Sequence, residues 1–360
     1  MSSVEVVLGF LEEAESWRLR SQQFPSKVGG KPAWLSQRGL PSVPGIQCEK
    51  CGLPMVFLLQ VYAPISGQDR SFHRTLFMFC CRTPECYTQN DSRCVKVFRS
   101  QLPRRNEFYP FDPPPEEQPP SSSEEEPMSI SGAKLCLVCG CPGNKACSRC
   151  HRATYCGKHH QTLHWKHSHK RECGSQDAVI VASTLLLFPE SELITEPEEE
   201  EKDEAEDEDD VTKESVVASS VTDALAESEL EEMAMHETED TKVFQSFKKK
   251  IAAEPQQVVR YSRGGFPLWV SSQHVPSDQD IPACTCGAKR IFEFQVMPQL
   301  LNSLCVDSTG ASVDWGTLAV YTCSVSCNQE EEYSSEFIWK QDFSSDQHSH
   351  TEHTEEEESV

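Results

Sequence analysis

One string of landmarks occurs twice in this chain, in the same order, and a duplicated unit restricts the possible folds more than any bulk property. Gly29-Gly30-Lys31-Pro32-Ala33-Trp34-Leu35 is matched by Gly264-Gly265-Phe266-Pro267-Leu268-Trp269-Val270. Cys48 and Cys51 follow the first string, and Cys284 and Cys286 follow the second. Nine residues past Cys51 and past Cys286 stand Gln60 and Gln295, each in an apolar run that closes near a proline. A second apolar run then ends in cysteine, Thr75 to Cys81 and Thr317 to Cys323, with further cysteines at Cys86 and Cys327. Phe98-Arg99 and Trp339-Lys340 come twelve residues later. Seven matched landmarks in one order mark a single structural unit present in two copies.

Val56–Tyr62 and Thr75–Cys81 have the β-branched and aromatic content of buried strands, and Ile291–Met297 and Thr317–Thr322 repeat that reading. Each copy spans only about 70 residues, near the lower limit for a self-sufficient core. Two copies packed together, each with a metal staple, escape that limit. The expected fold is a β-rich (α+β) split domain of two pseudo-repeats, residues 1–102 and 239–342, interrupted by a small zinc-bound insert at 134–174. Asp240–Ala253 reads as an amphipathic helix with Phe244, Phe247 and Ile251 on one face, ended by Pro255. Cys94 and Cys305 have no counterpart in the other copy and are expected to be buried small residues.

The net charge of −24 is unevenly placed. Gln176–Asp240 holds 24 acidic residues against Lys202 and Lys213, while 106–130 and 341–360 each hold seven acids and no Lys or Arg. The remainder is mildly basic. The segments 103–133, 175–238 and 343–360 are therefore expected to be a Pro/Ser/Glu linker, an acidic disordered linker and an acidic tail. Met1–Ser16 lacks the pattern of a signal peptide, and the longest nearly apolar run, Ala178–Phe188, falls well short of the ~20 residues that span a bilayer. No membrane partner is expected. Eighteen cysteines in such a chain point to metal ligation in a reducing compartment.

Cysteine spacing supplies the candidate sites. Cys48, Cys51, Cys81 and Cys86 form one four-thiolate set, and Cys284, Cys286, Cys323 and Cys327 another. Cys80 competes with Cys81, but aligning Thr75-Leu76 with Thr317-Leu318 places Cys81 opposite Cys323. In the insert, Cys136, Cys139, Cys147, Cys150, Cys156, His160, His169 and Cys173 put eight ligands into 38 residues, enough for two tetrahedral Zn2+ sites. His159 is an alternative to His160, and Cys141 is left over. Sites closed by four protein ligands leave no position for a reactive water. No Walker loop, dinucleotide fingerprint, nucleophile elbow or kinase signature occurs, so no enzyme is expected. The insert is basic but small, and direct nucleic-acid binding is not expected of it.

The strings Tyr155-Cys156-x3-His160-Gln161 and Trp165-x3-His169-x3-Cys173 resemble the MYND zinc finger. That resemblance implies an interleaved arrangement, one zinc on Cys136, Cys139, Cys156 and His160 and the other on Cys147, Cys150, His169 and Cys173. It also implies a shallow groove for proline-containing peptides, such as those of corepressors, at Gln161 and Trp165. Phe24-Pro25-Ser26-Lys27-Val28-Gly29-Gly30 through Trp34, the insert, and Cys284-x-Cys286-Gly287 through Phe294-Gln295-Val296-Met297-Pro298 are together similar to the programmed cell death protein 2 family. Membership implies a protein of cytoplasm and nucleus. It further implies a dedicated chaperone of one newly made, basic protein of the 40S subunit, with apoptosis and proliferation roles downstream. A nuclear adaptor that recruits corepressor peptides is the competing expectation.

Overall fold

A computed structural model describes residues 5–118, 133–174, 184–199, 238–306, 312–327 and 333–344. Ten strands close into an antiparallel barrel. In chain order these are β1 (Val7–Glu12), β2 (Lys27–Val28), β3 (Val56–Tyr62), β4 (His73–Cys80), β5 (Val95–Leu102), β8 (Ser191–Pro197), β9 (Val259–Tyr261), β10 (Arg290–Val296), β11 (Thr317–Cys323) and β12 (Tyr333–Gln341). Around the barrel they run β1-β8-β2-β3-β4-β5-β12-β11-β10-β9, and β9 pairs back to β1. Closure leaves no unpaired edge. β6 (Lys145–Ala146) and β7 (Thr154–Tyr155) form a separate two-stranded ribbon in the insert.

The two quarters β2-β3-β4-β5 and β9-β10-β11-β12 share one register. Gln60 lies opposite Phe77, and Phe77 opposite Phe98; Gln295 lies opposite Ala319, and Ala319 opposite Trp339. A bulge interrupts β3 between Phe57 and Leu59 and β10 between Phe292 and Phe294. The paired glutamines do the same work. Gln60 accepts from the Ala33 amide at 3.0 Å, and Gln295 accepts from the Leu268 amide at 2.6 Å. Each thus ties the loop before its cysteine knuckle to its strand, and each is almost fully buried.

Apolar side chains from both quarters fill most of the core, which includes Leu58, Leu76, Met78, Phe294, Leu318 and Val320. Across its interior Arg74 of β4 meets Glu293 of β10, joined by Thr322, Tyr261 and Ala63. Burial would lift the Glu293 carboxyl, but the Arg74 charge and hydrogen bonds outweigh it and hold it below the usual range. Arg99 of β5 pairs with Glu336 of β12, and Glu336 also takes Arg290.

α3 (Glu239–Ala253) lies where the amphipathic spacing predicts it, capped by the Thr238 hydroxyl on the Thr241 amide. Phe247 and Ile251 bury against Val270 and Met297. Three expectations are corrected. Ser191–Pro197, read as acidic disordered linker, is the barrel strand β8, because acids within it and on either side of it have partners. Glu190 takes the buried Lys27, Glu192 takes Arg18, and Glu198 takes Arg260. The first part of the 103–133 linker also packs on the barrel, where the Tyr109 hydroxyl donates to the Leu35 carbonyl at 2.6 Å. Cys305 is exposed, since it follows the short helix α4 (Leu300–Ser303) in left-handed backbone at φ 52°; Cys94 is buried. The acidic readings of 200–237 and 345–360 lie outside the described residues.

Candidate metal centres

In both barrel sites the knuckle of the first cysteine pair is closed by a glycine, whereas after Cys150 in the finger His151 takes that place at φ 56°. Gly52 donates to the Cys48 carbonyl and Gly287 to the Cys284 carbonyl, both at 2.8 Å. Both glycines have positive φ, 69° and 86°, with open space where a Cβ would stand. Backbone conformation, not room, selects glycine there. The partner cysteines come from the ends of β4 and β11, so each site ties a knuckle to a strand end.

Four groups of sulfur and imidazole atoms converge, with all ligand atoms of each group within 4.8 Å of one another. They are Cys48, Cys51, Cys81 and Cys86; Cys136, Cys139, Cys156 and His160; Cys147, Cys150, His169 and Cys173; and Cys284, Cys286, Cys323 and Cys327. Cys51 and Cys81 sulfurs are 3.6 Å apart, Cys139 and Cys156 3.8 Å, Cys147 and Cys173 3.8 Å, Cys284 and Cys327 3.5 Å, and Cys286 and Cys323 3.6 Å. These are far too long for disulfides, which need about 2.05 Å. They match the edge of a tetrahedron with ~2.3 Å metal–sulfur bonds, about 3.8 Å. The donor sets therefore fit a soft tetrahedral cation.

The histidines enter through different nitrogens. His160 presents Nδ1, 3.1 Å from the Cys156 sulfur, and His169 presents Nε2, 3.5 Å from the Cys150 sulfur. His159 points elsewhere and is exposed. Cys80 also stays out, because the strand's alternation turns it away from Cys81, and burial pushes its thiol up to about 12. Burial raises the Cys51 thiol, yet the Leu53 amide and the sulfurs of Cys81, Cys86 and Cys48 outweigh it and bring it to about 7. Cys284 reaches about 7 through burial opposed by the Cys286 amide and the neighbouring sulfurs.

The insert's helix makes its own adjustment. α1 (Lys158–His164) continues through a π-helical turn, Trp165–His169, into α2 (Lys170–Glu172). That wider turn brings His169 inward while Trp165 packs edge-on against its ring at 5.8 Å. Trp165 and Gln161 are both half-buried. The Tyr155 hydroxyl and His164 Nδ1 lie 3.0 Å apart beneath them, both buried.

Sequence reading did not locate the insert on the barrel. The Trp34 indole donates to the Gly140 carbonyl at 2.9 Å, and Lys31 donates to the Leu137 carbonyl at 2.9 Å. A Cβ on Gly140 would come within 2.9 Å of Lys31, so glycine permits this close approach. The leftover Cys141 is buried beside this seam. Basic side chains also cross between quarters. Arg99 of β5 donates to the Cys327 carbonyl at 3.0 Å, and Lys340 of β12, in the matching register position, points at the Thr88 carbonyl just after Cys86. Arg99, which also pairs with Glu336, reaches the Cys327 sulfur at 3.8 Å, while the Lys340 ammonium is taken by Asp342.

A second feature was not anticipated. Trp17, Phe24, Tyr62, Phe72, Tyr109 and Phe111 line a cleft of about 680 Å3, with Pro113–Pro115 along one side. These aromatics come from four separate stretches, and no local pattern joins them. Among the described residues no helix is long and apolar enough to cross a membrane.

Comparison with known proteins matches three stretches of the chain. Family descriptions match residues 5–116 (programmed cell death protein 2, N-terminal domain), 136–173 (MYND finger) and 241–342 (programmed cell death protein 2, C-terminal putative domain). Programmed cell death protein 2 of Bos taurus is 53% identical over 93% of this chain and 96% of its own length. Programmed cell death protein 2-like of Homo sapiens is 29% identical over 84% and 85%. A Schizosaccharomyces pombe protein named probable 20S rRNA accumulation protein 4 is 24% identical over 89% and 92%. No solved structure matches the chain. With half its residues shared over nearly full length, the chain belongs to the programmed cell death protein 2 family.

Proposed function

We propose that this chain is a non-enzymatic, zinc-binding chaperone of a newly made, basic protein of the small ribosomal subunit, acting in cytoplasm and nucleus. The observation that carries the reading is the fission yeast relative, whose name concerns 20S rRNA accumulation and which aligns along barrel and finger alike. Charge agrees with it. Residues 200–237 hold sixteen acids and two lysines, enough to attract a basic client over long range and to release it to a denser polyanion such as rRNA. The four ligand groups take Zn2+ as structural staples, and the matched register of the two quarters reflects two copies of one unit fused into a single receptor. Closed four-ligand sites give zinc no catalytic position.

The test is capture of purified small-subunit proteins, freed of rRNA, by the zinc-loaded full chain. One basic protein should be retained, less of it at high salt and less by a chain lacking 200–237. That deletion spares β8. Equal capture by both chains at low and high salt would sink the shielding role. A second reading, a nuclear adaptor for corepressor peptides, is favoured by the part-exposed Gln161 and Trp165 on the finger. Trp165→Ala would abolish its partner and leave the ribosomal client bound.

A further inference from the structure

Three of the eighteen cysteines are exposed, Cys51, Cys286 and Cys305. Cys305 lies outside the ligand groups, whereas Cys51 and Cys286 hold the same place in the two barrel sites, the second sulfur of the knuckle. The glycine that follows each leaves open space on that side of the turn. Each has a strand-end sulfur beside it. Cys51 lies 3.6 Å from Cys81, and Cys286 lies 3.6 Å from Cys323. The Cys284 and Cys327 sulfurs are slightly closer to each other, at 3.5 Å, but both residues are buried. The finger is built the other way. Cys139 and Cys156, like Cys147 and Cys173, are 3.8 Å apart, and all four are buried. Cys150 is the one finger cysteine that is not buried, and its sulfur sits 3.5 Å from His169 Nε2, which cannot form a disulfide.

We propose that Cys51 and Cys286 are the sites at which a peroxide oxidises this chain, each closing a disulfide with Cys81 or Cys323 that empties its barrel site, while the finger keeps its metal. A metal-bound sulfur is a thiolate, and among thiolates accessibility decides which one meets the oxidant first. The Cys51 thiolate attacks one peroxide oxygen; the O–O bond breaks, an S–O bond forms and hydroxide leaves. The Cys81 thiolate then attacks the Cys51 sulfur; the S–O bond breaks, the S–S bond forms and a second hydroxide leaves. The two sulfurs give up two electrons and the peroxide takes both. Cys286 and Cys323 react in the same way. Closing either bond needs about 1.5 Å of approach, from 3.6 Å to a disulfide length near 2.05 Å. Two ligands are then lost from each site, yet the new bond still ties knuckle to strand. A dithiol can therefore restore the site without refolding of the barrel. The inference rests on the reading of the four groups as zinc sites.

The experiment treats the zinc-loaded full chain carrying Cys305→Ser, which removes the one exposed thiol outside the ligand groups, with a small excess of hydrogen peroxide. A chromogenic chelator too weak to strip the untreated chain reads the zinc set free, and peptide mass spectrometry reads the disulfides. Expected are release of two of four zinc ions, disulfides Cys51–Cys81 and Cys286–Cys323, and return to four after a dithiol and fresh zinc. Cys51→Asp removes the reactive sulfur and offers an oxygen ligand in its place, so it should cut the release by about half, as should Cys286→Asp. The disulfide map of the chain with all its ligands decides the question even where such a variant fails to hold its metal. Four zinc ions before treatment and none released, or disulfides within the finger forming as fast as those in the barrel, overturn the proposal and leave the zinc reading standing. Barrel groups empty of zinc before any peroxide is added overturn both.

Discussion

Arg74 and Glu293, 219 residues apart, face each other through two hydrogen bonds inside the barrel, Nη1 to Oε1 at 2.6 Å and Nη2 to Oε2 at 2.8 Å. Neither side chain reaches solvent. The pair joins β4 to β10, which are not neighbours in the barrel wall, so it holds the two quarters to one separation and one orientation. Taking one partner away leaves a buried charge unpaired, which costs several times more than the pair itself contributes.

Arg74→Met should therefore destabilise the chain by about 3–5 kcal/mol in urea unfolding, and Arg74→Met with Glu293→Leu by less than Arg74→Met alone. A double variant as unstable as the sum of both single variants would contradict this coupling.

The same pair gives a pH dependence. Glu293 is held below its ordinary value, near 4.5, so its contribution is full above that value and is lost as pH falls through the lower folded value. Glu293→Gln should flatten the stability profile below about pH 4.5, measured by urea midpoints between pH 6 and 3.

Metal analysis of the purified chain should find four zinc ions. Cys86→Ser or Cys327→Ser should each lose one and lower the melting temperature, while Cys80→Ser should keep all four, because the Cys80 sulfur lies outside the cluster. A strong chelator should abolish cooperative melting, since ligand sites of this kind contribute directly to folding.

Gln60→Leu and Gln295→Leu each leave a loop amide without its acceptor, at Ala33 and Leu268. Each should cost about 1–3 kcal/mol, and by similar amounts. A large cost at one position and none at the other would show that the two loops are held differently.

Removing 200–237 should leave the melting temperature nearly unchanged, while removing 188–237 should lower it strongly and expose protease sites in β1 and β2. The second deletion takes β8 out of the closed ladder, leaving strand edges unpaired.

The cysteine sets that converge and the strands beside them were legible in the chain itself, because knuckle spacing and strand alternation are set by residues within one or two turns of each other. Aligning Thr75 with Thr317 picks Cys81 over Cys80, and Cys81 is the one whose sulfur converges with Cys48, Cys51 and Cys86. Tertiary structure alone decided the rest. β8 reads as acidic linker because its charges find Lys27, Arg18 and Arg260 only after the barrel closes. The bond from Trp34 to Gly140 and the Arg74–Glu293 pair depend on which distant segments meet, and contacts over such separations leave no periodic trace in sequence.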